Sequence, residues 1–352
     1  MGAVLYMHNV LYTIAFQSYS EAAYAGGDDL DFMTMNGWTQ FCHECDLADA
    51  KSKYCRRSDL DMIFKQIDML ASKDDAEQKA LARQQGGKAA VSDSDAGAKK
   101  NALGRVEFVA ALVVVAINKY VRSGALADVS EAVDRLFTDQ IVRKLGPKLP
   151  VPDDLRGKHL YTQEVAEVLE SHEASLRLIF NTLAEMDRPR NLLSFHMWKT
   201  FLRALGFIGV DVTERDATLC FMWSVMAVID NSTRTGSIKE KNLPFEGFLE
   251  ALCRIATLKS LPYDSEIDQV GCADAGTYMS WFRRTDFAAY TKMVKDRACE
   301  WGEVPDQPMH RCVDHVVEIM IRTIEHSDDG GGGNVQISQH EMRQWIKQSM
   351  KL

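Results

Sequence analysis

The sequence predicts a nearly all-α fold: tandem helix–loop–helix pairs with very short β pieces. Three observations predict it. Apolar residues recur three and four apart, as in "FLRALGFI" (Phe201–Ile208) and "FMWSVMAVI" (Phe221–Ile229), which places them on one face of a helix. Helix starts are marked by polar residues three apart: Ser58 with Asp61, Thr213 with Asp216, and Ser338 with Glu341. Strand-like stretches never exceed a few residues.

An internal repeat organises the elements in order. "FMTMNGWTQFCHECDL" (Phe32–Leu47) aligns with "NLLSFHMWKTFLRALGF" (Asn191–Phe207), so that Trp38 meets Trp198, Phe41 meets Phe201, Cys42 meets Leu202 and Cys45 meets Leu205. "ALGRVEFVAALVVVAINK" (Ala102–Lys119) aligns with "NLPFEGFLEALCRIATLK" (Asn242–Lys259), matching Leu103 to Leu243, Phe108 to Phe248, Leu112 to Leu252, Ala116 to Ala256 and Lys119 to Lys259. The matches keep their order in each half, as expected for a duplicated four-helix unit.

The repeat also interprets the C-x-x-C of "FCHEC". Trp38, Phe41, Cys42 and Cys45 share one helix face, and the second copy carries leucine at both cysteine positions. Cysteine is expected there as a small buried apolar residue. A zinc site would want further ligands; Cys55 is available, but His43 points off the stripe and no second C-x-x-C occurs. A redox pair would want a βαβ context, which is absent.

Each half reads helix, loop with a strand-like residue, helix, and the same again, the layout of paired EF-hands. Such a loop holds ligands at positions 1, 3, 5, 7, 9 and 12, with glycine at 6. Anchored on the apolar residue at position 8, the first loop has Met33 at 8 and Gly37 at 12. The second has Leu103 at 8 and Glu107 at 12, with Asp68, the best first ligand, beyond an insertion. The third has Met197 at 12. The fourth has Leu243 at 8 and Gly247 at 12, with Asp230 too far back. A partial fifth hand offers Ile337 at 8 and Glu341 at 12, but counted from Asp328 its loop is too long, and Ser338 with Glu341 also reads as a helix cap. These are degenerate hands, and the loops are expected to be structural. The expected organisation is a first EF-hand pair over 1–123 with a flexible insertion at about 71–102, a helical linker over 124–174, a second pair over 175–262, and a C-terminal helical region over 263–352 with the fifth hand. "KLGPKLPVPDDLRGKHLY" (Lys144–Tyr161), with Pro147, Pro150 and Pro152, reads as a boundary, and Gly330–Gly333 as a flexible tract.

Bulk properties narrow the function. The chain has 352 residues, 46% hydrophobic and 26% charged, so it can bury real cores. A net charge of −9 with no long basic run argues against nucleic acid. The longest apolar run, "FVAALVVVAI" (Phe108–Ile117), falls short of the roughly 20 residues that span a bilayer. "MGAVLYMHNVLYTIAF" lacks a basic leader and reads as a buried first helix rather than a signal peptide. Tyr6 stands where N-myristoylation of Gly2 wants Ser or Thr. Eight cysteines without a secretory leader read as reduced thiols of a cytoplasmic protein.

Two resemblances follow. "MNGWTQFCHECDL", then "SDLDMIF", then "GRVEFVAAL" resemble, in order, the p25-alpha domain of tubulin polymerisation-promoting proteins, over roughly the first 120 residues. "DDLRGKHLYTQEVAEVLESHEASLRLIF" and "LPFEGFLEALCRIATLKSLP" are similar to degenerate EF-hand proteins of ciliary and flagellar axonemes. The resemblances imply a non-catalytic structural protein that binds tubulin and other axonemal proteins in doublet microtubules, as a microtubule inner protein of the cytoskeleton of the cilium or flagellum. The alternative is a calcium-sensing EF-hand adaptor.

No enzyme is expected. GxSxG, P-loop, HExxH and Gly-rich dinucleotide motifs are missing, and His172, His310, His315 and His340 are scattered. No catalytic, cofactor-binding or metal residue is expected, calcium being the one cofactor the scaffold leaves open, and neither nucleic acid nor membrane is expected as a partner. Tubulin's outer surface and tails are acidic, so an acidic chain needs local basic patches or a luminal seat. "CRRS" (Cys55–Ser58), "RPR" (Arg188–Arg190) and "WFRRTD" (Trp281–Asp286) are the available patches.

Overall fold

The computed structural model describes residues 2–20, 30–84, 101–146, 152–187, 191–225, 234–303, 305–325 and 337–350. The chain is mostly helical and divides into two compact units, Met1–Pro150 and Val151–Leu352.

The first unit runs α1 (Gly2–Met7), α2 (Asn9–Ser18), β1 (Met33–Thr34), α3 (Met35–Glu44), α4 (Arg57–Gln84), β2 (Ala102–Leu103), α5 (Arg105–Ala116) and α6 (Val129–Arg135). α5 and α6 continue as π-helical turns over Ile117–Val121 and Leu136–Val142. β1 and β2 pair antiparallel with Met33 opposite Leu103. The core gathers Trp38, Phe41, Cys42 and Cys45 from α3 with Leu60, Ile63 and Phe64 from α4 and Phe108, Leu112 and Val115 from α5.

The second unit runs α7 (Pro152–Leu155), α8 (Gln163–Ser171), α9 (Glu173–Met186), β3 (Leu193–Ser194), α10 (Phe195–Ala204), α11 (Glu214–Ser224), α12 (Arg234–Lys241), β4 (Asn242–Leu243), α13 (Phe245–Leu258), α14 (Asp264–Val270), α15 (Ala275–Thr285), α16 (Phe287–Asp296), α17 (Met309–Glu325) and α18 (Gln339–Ser349). β3 and β4 pair antiparallel with Leu193 opposite Leu243. Trp345 of α18 packs edge-on against Phe201 of α10, with centroids 5.8 Å apart, so the C-terminal helices share the core of this unit.

The repeat is visible in atomic detail. Trp38 meets Phe108 edge-on at 6.2 Å and 86°, and Trp198 meets Phe248 at 6.3 Å and 88°. Trp38 Nε1 donates to the Leu60 carbonyl at 3.1 Å, and Trp198 Nε1 to that of Ala217 at 2.9 Å. Both copies of the Trp-bearing helix end the same way. Asp46 (φ 54°) and Gly206 (φ 69°) adopt the left-handed conformation, while Leu47 N bonds Cys42 O and Phe207 N bonds Leu202 O, each at 3.0 Å. Lys119 Nζ then reaches the Leu47 carbonyl at 2.8 Å, and its counterpart Lys259 reaches that of Phe207 at 3.4 Å.

Several expectations are corrected. The segment taken as a flexible insertion is helical from 71 to 84, the continuation of α4. Its Ala, Lys, Glu and Gln residues favour helix; the remainder, 85–100, lies outside the described residues. The expected linker, 124–174, is shared between the units. Ala132, Val133, Leu136, Phe137, Ile141 and Leu145 recur three and four apart and are buried in the first core, while residues from 152 onward belong to the second unit. Asp59, not Ser58 with Asp61, marks the start of α4, its carboxylate accepting from Arg56 N at 2.7 Å. Thr213–Asp216 and Ser338–Glu341 form capping boxes as expected. Gly330–Gly333 and the fifth loop up to residue 336 lie outside the described residues.

Candidate functional site

The four loops are built around the two short ladders, so their chemistry can be judged position by position. Met33, Leu103 and Leu243, assigned to position 8, and Leu193, four residues before Met197 in the third loop, are the ones that face each other in the ladders, and all are fully buried. Two positions before Leu103 and Leu193 stand Asn101 and Asn191, with φ of 64° and 67°. Asparagine is among the few non-glycine residues that tolerate this conformation.

Position 12 is glycine in the first and fourth loops, glutamate in the second and methionine in the third. A Cβ on Gly37 would overlap the carbonyl oxygen of Tyr19 at the end of α2. One on Gly247 would stand 2.8 Å from the carbonyl oxygen of Ser224 at the end of α11. In these two loops the preceding helix approaches so closely that no side chain fits where a bidentate acid would project. Met197, in the third loop, is buried in the core. Glu107, in the second, turns back toward residue 104, its Oε2 2.5 Å from where a Gly104 Cβ would be. Asp68 does reach this loop across the insertion, but as a clasp: its Oδ1 accepts from Ala102 N at 3.3 Å. Asp187 holds the third loop in the same manner, accepting from Ser194 N at 2.7 Å. Glu341 accepts from Ser338 N at 2.7 Å as the helix cap. Asp230, Asp328 and Asp329 lie outside the described residues, as do Arg188–Arg190.

Cys42, Cys45 and Cys55 are buried in the first core, with Cys55 Sγ donating to the Leu47 carbonyl at 3.3 Å. Burial pushes all three thiols up, most strongly Cys42 and Cys45, which disfavours the thiolate that metal binding and redox exchange require. Among the described residues no group of three or more His, Cys, Asp or Glu is arranged to hold a metal ion, and no described helix is long and apolar enough to cross a membrane.

Among the described residues, a dense polar assembly in the second unit joins residues that lie scattered in the sequence. Arg311, Asp314, His315, Glu318 and Arg322 form one stripe of α17, opposite the apolar residues Val313, Val316, Val317 and Met320. His172 Nε2 lies 2.8 Å from Asp314 Oδ1, His315 Nε2 lies 3.0 Å from Asp264 Oδ1, and Arg311 Nη1 donates to Asp314 at 2.6 Å. Arg322 grips Asp274 through Nε and Nη2 at 2.8 and 2.6 Å. Gly276 lets α15 approach this stripe, since a Cβ there would stand 2.7 Å from both Arg322 Cγ and the Glu318 carbonyl oxygen. The charged residues at 311, 314, 315, 318, 322 and 325 were the available signal, a polar face at helical spacing whose partners are distant in the chain. His310 and His340 do not enter this network.

Burial, with help from the Arg311 charge, holds the His315 imidazole below its ordinary range despite its bond to Asp264, and its Nδ1 has no hydrogen-bond partner. Burial pushes the Glu318 carboxyl up to about 7, against the donated Ala275 N–H, and the charges of Asp314 and Asp274 add to the rise. With its folded pKa above its unfolded value of 4.5, Glu318 stabilises the fold fully below pH 4.5, and that contribution is lost as pH rises through 7. Glu318→Gln is therefore expected to gain stability over wild type at pH 8, by on the order of 2 kcal/mol, and little at pH 4.5. Denaturant unfolding at the two pH values checks this; an equal effect at both would show that Glu318 does not titrate as described.

A second charge cluster binds α13 to the π-helical turn that follows α7, Arg156–Leu160. Arg254 Nη2 donates to Glu250 Oε1 at 2.7 Å, and Arg156 Nε donates to both Glu250 oxygens at 3.0 and 3.1 Å. Arg156 also donates to the Trp223 carbonyl at 2.8 Å. Asp153 and Asp154 lie in α7 and pair with Arg156 and Lys158. These clusters fasten helices to one another; none sets a nucleophile beside a base.

No family model, curated protein or solved structure matches the chain.

Proposed function

We propose that this chain is a non-catalytic structural protein that binds tubulin in ciliary or flagellar doublet microtubules, as a microtubule inner protein, and that its helix–loop–helix units are two pairs of degenerate EF-hands. The pairing is supported by position-8 residues facing one another in both ladders and by Asn101 and Asn191 taking the left-handed turn where such loops carry glycine. The loss of metal function is supported by one observation above the others: helix-terminal carbonyls crowd Gly37 and Gly247, where the bidentate ligand belongs. A loop braced in this way is a fixed joint, and a lattice component needs no switch. The tubulin partner rests on the p25-alpha-like and axonemal likenesses, and the luminal seat on the net charge of −9, which suits a surface lacking acidic tails.

A calcium-sensing adaptor is the second reading, favoured by the one loop where Asp68 and Glu107 both turn inward. Extraction of isolated axonemes separates the two. The structural reading expects the protein to stay with the doublets through calcium chelation and largely through moderate salt, as an extensive, partly apolar interface would. Release by chelator alone would put the adaptor first, and release by salt alone would place the protein on the charged outer surface.

A further inference from the structure

We propose that the outward face of α1 and α2 is an apolar anchor that seats this chain in an uncharged groove of the tubulin wall. The inference rests on the tubulin reading above and names the surface that reading leaves open. The internal repeat reaches back beyond the Trp-bearing helices. "VLYMHN" (Val4–Asn9) aligns with "VLESHE" (Val168–Glu173), and at the same offset Phe16 meets Phe180. Phe16 packs on Phe108 with centroids 5.6 Å apart, and Phe180 packs on Phe248, the counterpart of Phe108, at 5.7 Å. His8 stands at the break between α1 and α2, and His172 at the break between α8 and α9. Each imidazole is tied to an aspartate: His8 Nε2 lies 2.9 Å from Asp134 Oδ1 on α6, and His172 Nε2 lies 2.8 Å from Asp314 Oδ1 on α17. From 3 to 10 and from 167 to 174, each residue matches its counterpart in being exposed or half-buried.

Only the chemistry of the outward face differs. Ala3, Tyr6, Met7 and Val10 stand at i, i+3, i+4 and i+7, on one side of a helix whose hydrogen bonds run through the break, His8 N to Val4 O at 3.2 Å and Tyr12 N to His8 O at 3.1 Å. The opposite side, Val4, Leu5, Leu11 and Tyr12, rests on the first core, so the face is rigidly presented. Tyr6 is 81% exposed, Met7 67% and Val10 59%. The second unit carries Glu167, Glu170, Ser171 and Ala174 at these positions, all exposed. The fold therefore accepts a solvated polar face here, and an apolar one is not its requirement. Single exposed apolar residues are ordinary, whereas neighbouring ones on one rigid face mark an interaction site.

Charge and size select the partner. Gly2–Ser20 holds no Asp, Glu, Lys or Arg, although its counterpart carries Glu167, Glu170, Glu173 and Arg177 and the whole chain has a net charge of −9. An uncharged face lets an acidic chain meet an acidic protein without opposing like charges. A membrane would find no basic residue on it to hold its headgroups. Four outward residues also fall well below the roughly 20–30 a side that a stable dimer of two copies needs. They suit an anchor within a longer contact, with Tyr6 and Met7 filling a pocket while other parts of the chain lie along the lattice.

The test co-assembles the full chain with purified tubulin and pellets the polymer. The variant Ala3→Glu/Tyr6→Glu/Met7→Ser places in the first unit the residues that the second unit carries at the same exposed positions, so unchanged circular dichroism is expected. Wild type is expected in the pellet, and the variant is expected to bind about tenfold or more weakly. Tyr6→Gln alone should show a smaller loss in the same direction, which keeps the test open if the triple variant fails to fold. Equal pelleting of wild type and the folded variants would overturn the anchor while leaving the tubulin reading in place. Wild type that stays in the supernatant would overturn both. A wild-type dimer in sedimentation equilibrium that the variant abolishes, or binding to phosphatidylcholine vesicles lost in the variant, would assign the face to another occupant and overturn the proposal.

Discussion

Trp38→Ala and Trp198→Ala are each expected to destabilise their own unit by about 3–5 kcal/mol. Both indoles are fully buried, and each is the largest side chain where three helices meet. Truncation removes the edge-on contact with Phe108 or Phe248 and leaves a cavity bounded by rigid aromatic rings. It also removes the indole N–H bond to the Leu60 or Ala217 carbonyl, each of which lies within a helix. Thermal unfolding followed in both variants should show one transition moving and the other holding its place. A single transition that shifts equally in the two variants would refute the division into independently cored units.

A comparable loss is expected from Glu250→Ala in the second unit. The Arg254 side chain is 2% exposed and the Glu250 side chain 10%, so this cluster lies where water cannot take over the role of the missing carboxylate. Removing Glu250 leaves the buried Arg254 guanidinium without its carboxylate, at a cost of about 3–5 kcal/mol. Arg156 would lose the same carboxylate, although Asp153 and the Trp223 carbonyl remain to it. Replacing Glu250 and Arg254 together by methionine should cost much less than Glu250→Ala, because no buried charge is then left without a partner. Equilibrium unfolding of the three proteins checks the order, and a double variant less stable than Glu250→Ala would contradict it.

The helical class and the repeat were legible because they rest on residues whose spacing is itself the signal. Trp38, Phe41 and Phe108 have counterparts in the second half, whereas the facing of Met33 with Leu103 and of Leu193 with Leu243 across the ladders is seen only in the fold. Lys119 and Lys259 were legible as equivalents, but that each lysine reaches the carbonyl just past the Trp-bearing helix was not, since a side chain's reach leaves no periodicity. Residues 124–174 were misread because prolines drew attention to the boundary, while the apolar spacing from Ala132 to Leu145 carried the better information. Glycine at position 12 of two loops was noticed only as a missing ligand. The close helix approach that makes glycine necessary there is a three-dimensional fact. The stripe on α17 was missed for a related reason: His172 and Asp314 are 142 residues apart, and only folding pairs them.

The proposed place of this chain, as a fixed part of the doublet microtubule, is tested by its position in isolated axonemes. Cross-linking mass spectrometry of intact doublets, read with the density of the same preparation, should join lysines of this chain to luminal residues of tubulin. Density matching the two units should repeat along the inside of the wall, unchanged with calcium present or chelated. Cross-links confined to soluble or membrane proteins, or density that appears only with calcium, would contradict it.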